Sequence, residues 1–169
     1  MKTMATIWLD GCSGCHMSFL DMDERLLELA SQVKLVYSPL VDRKDFPEMV
    51  DIAVVEGAVS SEDDLAKIQK VRAHCATLIA LGDCSVNSNV PAMRNGPGVQ
   101  AVCERGYADS TPLRVVPKLL RRVSAVHEVV KVDVFVPGCP PAADTIYYVL
   151  SELLAGRTPD VNSKTRFGA

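Results

Sequence analysis

Ala5-Thr6-Ile7-Trp8-Leu9 followed by Asp10-Gly11-Cys12-Ser13-Gly14-Cys15 is the stretch on which the fold turns. A short apolar run ends in a glycine-bearing turn that carries two thiols three residues apart. The same construction recurs along the chain. Ile52-Ala53-Val54-Val55 delivers Glu56-Gly57, Thr77-Leu78-Ile79-Ala80-Leu81 delivers Gly82-Asp83-Cys84, and Val132-Asp133-Val134-Phe135-Val136 delivers Pro137-Gly138-Cys139-Pro140-Pro141. Apolar runs with little polar alternation belong to strands buried on both faces. Lys34-Leu35-Val36-Tyr37-Ser38, β-branched and aromatic, adds another strand closed by Pro39.

Helical patterns separate these runs. Phe19 to Ser31 reads as one helix, with Leu20, Leu26, Leu27 and Ala30 available to one face. Ser60 or Ser61 caps a second, in which Leu65, Ile68, Val71 and Cys75 recur at helical spacing. Ile146, Val149, Leu150, Leu153 and Leu154 make the clearest helix, stopped by Gly156. Alternating strands and helices predict an α/β fold: a flavodoxin-like, doubly wound parallel sheet of about five strands with helices on both faces. Ligands of such sheets bind beyond the carboxyl ends of the strands. Cys12, Cys15, Glu56, Cys84 and Cys139 all fall there.

The remaining segments are less regular. Residues 42–50 read as a charged connection or short helix. From Ser85 to Pro117 periodicity is lost, which predicts a long functional loop with a short helix around Val99 to Glu104. Leu113 to Val130 reads as a connection followed by a helix carrying Leu119, Leu120 and Val123, and the polar tail from about residue 158 to 169 reads as mobile.

The bulk numbers bound the function. At 169 residues, 48% hydrophobic and 23% charged, residues 1–169 form one domain's worth of chain. The net charge of −3 without a basic run excludes a nucleic-acid binder. No apolar stretch approaches the roughly 20 residues that span a bilayer. The N-terminus reaches Cys12 before a signal peptide would fit, and it has no twin arginines. The expected location is therefore cytoplasmic, where thiols stay reduced and six cysteines favour metal over a disulfide framework.

Four thiolates, one close pair and two singles on distant loops, suit a cubane iron-sulfur cluster. Small residues Gly11, Gly14, Gly82 and Gly138 let backbone approach such a group, and Pro140 and Pro141 stiffen the last loop. Three other readings stay open. Structural zinc usually shows two close pairs. A thioredoxin-like dithiol would leave Cys84 and Cys139 unexplained. FMN would place phosphate at the first turn of such a sheet. Cys75 and Cys103 read as small packed hydrophobes, and His74 and His127 as structural. His16 either shapes the site or hydrogen-bonds in its loop. Glu56 either relays protons or binds backbone amides.

Taken together, the four motifs around Cys12 and Cys15, Glu56, Cys84 and Cys139 resemble the small, electron-transferring subunit of nickel-iron hydrogenases over residues 6 to about 155. The resemblance implies that Cys12, Cys15, Cys84 and Cys139 hold the proximal 4Fe-4S cluster. It also implies a partner large subunit with the nickel-iron centre. A single site, with Ala101-Val102-Cys103-Glu104-Arg105-Gly106-Tyr107 in the long loop, resembles the soluble NAD-reducing members. That implies diaphorase-type partners carrying FMN, further clusters and the NAD(P) site. His16-Met17-Ser18 replaces the acidic residue common after the first pair, so the carboxylate of a proton route there is missing. The related cluster subunit of respiratory complex I differs in having two adjacent cysteines where Ser13 and Gly14 separate them here.

Overall fold

The structure, a computed structural model, describes residues 1–108 and 115–165. Residues 109–114, within the expected long loop and connection, and 166–169 of the tail lie outside the described residues. The main sheet has five parallel strands: β1 (Lys2–Trp8), β2 (Val33–Tyr37), β3 (Val50–Glu56), β5 (Cys75–Leu81) and β7 (Val134–Val136), in the order β2-β1-β3-β5-β7. Counting only these strands, the order is 2-1-3-4-5, the flavodoxin arrangement expected from the sequence. A short antiparallel ribbon stands apart, made of β4 (Val59–Ser61) and β6 (Leu119–Ser124).

Side-chain alternation divides the core into two layers. On one face Met4, Ile52, Val54, Ile79, Leu81 and Val136 pack against Phe19 of α1 (Gly14–Leu20), Leu29 of α2 (Arg25–Gln32) and Ile146, Val149 and Leu150 of α6 (Ala143–Leu154). On the other, Ala5, Ile7, Ala53, Val55 and Leu78 meet Ile68 and Val71 of α3 (Glu62–Ala73). Central β3 is buried at every position except Asp51. This is what a continuous apolar run predicts for a strand covered on both sides.

Ser61 caps α3 as its sequence foretold: its hydroxyl accepts from Asp64 N, while Asp64 reaches back to the Ser61 amide. Other expectations need correction. The single helix from Phe19 to Ser31 is two, because Asp23 takes a left-handed φ of 50° and the buried Met22 turns the chain inward between them. Helix α1 starts earlier than expected, at Gly14, so Cys15 and His16 lie in its first turn. Cys75 opens β5 rather than closing α3, whose C-cap is His74. Leu119, Leu120 and Val123 belong to a strand, not a helix. β6 pairs with β4, and Asn95 holds Val123 by bonds to both its N–H and its C=O.

Much of the expected loop after Cys84 is helical: α4 (Asp83–Asn87), a 3-10 turn (Val90–Asn95) and α5 (Gly98–Tyr107). The polar tail, read as mobile, docks as far as residue 165. Thr145 Oγ1 donates to Lys164 O, and the Lys164 ammonium lies over the Tyr148 ring. Among the described residues no helix is long and apolar enough to cross a membrane.

Edge strand β7 is only three residues long and depends on polar anchorage next to it. Asp133 accepts from Leu78 N at 2.9 Å and from Arg72 Nη1 at 2.6 Å, tying α3 and β5 to the approach to β7. Partial burial pulls the Asp133 carboxyl upward, but the Leu78 amide and the Arg72 guanidinium outweigh it and hold the group below its ordinary value. Asp133→Ala should therefore cost about 1.5–3 kcal/mol at neutral pH, measured by denaturant unfolding. Because the folded state lowers this pKa, the difference between parent and variant should be full above the ordinary value of 3.8 and shrink as pH falls below it. A pH-independent difference would show that the carboxylate charge plays no part.

Candidate metal centre

Parallel register brings the strand ends level. Trp8 pairs with Glu56, Glu56 with Leu81 and Leu81 with Val136, so one row of residues marks the carboxyl edge of four strands. Every candidate ligand loop leaves from this row. After β1 the chain bridges back to the β3 exit, with Asp10 N on Ala58 O at 3.1 Å and Ala58 N on Asp10 O at 2.8 Å. Gly57 permits that crossing. It has φ +93°, and a Cβ there would stand 2.8 Å from Leu9 C.

The loops after β5 and β7 are tied directly to each other. Asp83 N donates to Gly138 O at 2.9 Å, and Gly138 N donates to Asp83 Oδ1 at 2.7 Å. The first loop reaches both. Cys15 Sγ occupies the place that a side chain on Gly82 would take. Ser18 Oγ of α1 donates to Pro141 O, closing the ring of three loops. Gly82 thus makes room for a thiol rather than for a bound group, a different use from the one its sequence context suggests.

The four thiols are electrostatic neighbours. Burial pushes the Cys15 thiol far above its ordinary value, and the charges of Glu56, Cys84, Cys12 and Cys139 push the same way. Cys84 is pushed up to about 11, chiefly by burial and then by Cys139, Cys12, Glu56 and Asp10. Cys15 is buried, Cys84 is partly covered, and Cys12 and Cys139 are exposed, so the cluster of thiols opens to solvent on one side. All six cysteines are free. Cys75 is packed in the core, whereas Cys103 is half-buried on α5, away from the thiol set.

Glu56 and His16 form a second layer beneath the thiols. Glu56 is 2% exposed, and its Oε2 accepts from His16 N at 2.8 Å and faces His16 Nδ1. A carboxylate on one first-turn amide of α1, that of His16, anchors the helix that carries Cys15. The row continues inward, from His16 Nε2 to Thr6 Oγ1 at 3.0 Å and from Thr6 Oγ1 to Ser38 Oγ at 2.7 Å. Of the two sequence readings of Glu56, the binding of a backbone amide is seen, and its side chain also holds the His16 ring. Sequence reasoning missed Thr6 and Ser38, which look like ordinary strand residues. It also missed Asn89, whose Nδ2 lies 3.6 Å from Cys139 Sγ; the polar run Asn87-Ser88-Asn89 after Cys84 was its only signal. His74 and His127 lie elsewhere, His74 bonded to Glu48 O and His127 stacked edge-on against Phe135.

The donor set has a definite chemistry. Four thiols on three tied loops at one sheet edge suit iron-sulfur clusters, which thiolates hold by preference. A zinc ion would need its sulfurs about 3.8 Å apart. Structural zinc sites usually show two close pairs, and among these four thiols only Cys12 and Cys15 form one. A dithiol oxidoreductase would use only the Cys12 and Cys15 pair and would leave Cys84 and Cys139, on the two tied neighbouring loops, without a role. The residues present are a donor set of the kind that holds a multi-iron cluster.

Comparison with known proteins gives the chain its family. Residues 12–153 match the family described as NADH ubiquinone oxidoreductase, 20 Kd subunit. The NAD-reducing hydrogenase HoxS subunit delta of Cupriavidus necator is 43% identical over 95% of this chain and 82% of its own length. A vhu F420-non-reducing hydrogenase subunit of Methanocaldococcus jannaschii is 34% identical over 94% of this chain, which spans only 58% of that relative. A crystal structure of an NAD+-reducing [NiFe]-hydrogenase in the H2-reduced state contains a chain that superposes with a TM-score of 0.91 at 37% identity, covering 98% of both. The [NiFeSe] hydrogenase of Desulfovibrio vulgaris Hildenborough shares the fold, with a TM-score of 0.58 at 17% identity over 92% of this chain and 60% of its own. With more than half its length matched, this chain belongs to the NADH ubiquinone oxidoreductase 20 kDa subunit family, as a relative 43% identical to the delta subunit of an NAD-reducing hydrogenase.

Proposed function

We propose that this chain is the electron-transfer subunit of a cytoplasmic nickel-iron hydrogenase, with Cys12, Cys15, Cys84 and Cys139 holding one 4Fe-4S cluster. The observation that carries the reading is the gathering of four thiols from three loops at one sheet edge. Bound there, the cluster supplies one-electron transfer between a large subunit that oxidises hydrogen and partner subunits that hold flavin and NAD(P). The chain itself makes and breaks no substrate bond.

Its residues have three tasks. The Asp83–Gly138 pair of hydrogen bonds and the Glu56–His16 contact keep the ligand loops in fixed relation. Buried Cys15 and Phe19 close the inner side against water. Exposed apolar side chains follow each of the first two ligand loops in the chain, Met17 and Leu20 on α1 and Val90 and Met93 beyond Cys84. Such side chains in company suit a protein partner. The segment from Ser85 to Tyr107 is the surface we assign to the large subunit, by a large and obligate interface.

Iron, acid-labile sulfide and nickel in the natively purified complex test this directly. The expected result is four irons and four sulfides assigned to this chain, with nickel co-purifying. Cys84→Ser and Cys139→Ser should each lose the cluster's EPR signal while the fold persists. Iron-free protein, or isolation without a nickel-bearing partner, would refute the assignment. Gly82→Ala should weaken cluster retention about 10- to 100-fold, because a methyl group there displaces Cys15 Sγ. Undiminished iron in that variant would show that Cys15 is not a ligand.

A further inference from the structure

Cys139 differs from the other three thiols in what touches it. Asn89 Nδ2 lies 3.6 Å from Cys139 Sγ, whereas Cys12 Sγ receives only the Gly14 backbone amide, at 3.4 Å. Among the described residues, no other side-chain N–H reaches any of the four sulfurs. The amide nitrogen of Asn89, not its oxygen, faces the sulfur, and it is the end that can donate to a thiolate ligand.

The backbone is bent to deliver this contact. Ser88 and Asn89 are consecutive non-glycine residues at positive φ, 67° and 28°, a conformation that side chains disfavour. The loop is held without help from the Asn89 side chain. Asn87 Oδ1 accepts from Asn89 N at 3.0 Å, and the carbonyls of Ser88 and Asn89 both accept from Ala92 N at 3.1 Å. Farther on, Arg94 donates to Leu120 O and Ser60 O, fixing the 3-10 turn to the β4–β6 ribbon.

We propose that Asn89 is a positioning residue that tunes the redox group held at Cys139, its side-chain N–H raising that group's reduction potential. This rests on the cluster reading given above. Reduction places more negative charge on the cluster and its sulfur ligands, so a hydrogen bond to Cys139 Sγ is stronger in the reduced state than in the oxidised state. Removing the donor therefore disfavours reduction.

The experiment is an EPR-monitored redox titration of the natively purified complex, comparing parent, Asn89→Gly and Asn89→Asp by difference spectra so that unaffected centres cancel. Asn89→Gly removes the amide and relaxes the positive φ, which guards against misfolding. Both variants should keep parental iron and sulfide. The reduction constant of one cluster should fall about tenfold in Asn89→Gly, equivalent to about 59 mV for one electron, and further in Asn89→Asp, whose carboxylate adds charge beside the sulfur. A fully loaded Asn89→Gly complex within about twofold of the parent's constant would overturn the proposal. Loss of iron from both variants would overturn it as well, because Asn89 would then be a strut. A parent without iron or sulfide would fail the cluster reading itself, whereas a loaded parent with an unmoved midpoint in the variants fails this inference alone.

Discussion

The level row of strand ends, Trp8, Glu56, Leu81 and Val136, is the constraint on which the site depends. Apolar patterning alone pins that row poorly. A slip of one residue exchanges the two faces of a strand, yet both faces of β3 are apolar, so Val54 and Val55 could trade layers at modest cost. Polar contacts supply what patterning lacks. Burying Glu56 without a partner would cost several kcal/mol, and His16 meets it only in the native register. At the opposite end Asp51 Oδ2 takes both the amide and the hydroxyl of Thr3. Two polar pins therefore hold β1 against β3, one at the ligand edge and one at the far edge.

The same buried charge shapes the thiols. Glu56 contributes to the upward push on Cys15 and Cys84, together with burial and the mutual repulsion of the four sulfurs. Left to itself, the protein favours the protonated form of Cys15 and of Cys84. On the proposed reading a cationic iron core reverses that balance, so loading the site releases protons and contributes to folding stability. The arrangement suits a permanently held group better than a thiol that must attack a substrate.

How far the sequence was readable follows from where the signal lay. Strands of the main sheet were legible because each is a near-continuous apolar run that ends in Gly or Pro, and all four proposed ligands follow such ends. The break at Asp23 was not, since its positive φ is set by the burial of Met22 rather than by a glycine or proline. β6 was hidden for a related reason. Leu119, Leu120 and Val123 satisfy helical spacing, but partners distant in sequence, Val59 in β4 and Asn95, decide their backbone. The His16–Thr6–Ser38 row joins residues 10 and 32 positions apart. Local pattern carries no trace of a contact of that kind.

The 3-10 turn from Val90 to Asn95 shows why an exposed loop can be both ordered and apolar. None of its residues is buried, so hydrophobic contact does not hold it. Its order comes from Arg94 on two carbonyls and from Asn95 on both polar groups of the Val123 backbone. Each such bond contributes about 0.5–1.5 kcal/mol, more where the guanidinium charge takes part. Because the polar side chains do the fastening, Val90 and Met93 need not turn inward, and they stand 61% and 74% exposed just beyond Cys84. A loop secured by its own burial would have spent those side chains on the core. Secured in this way, it keeps an apolar surface exposed just beyond Cys84.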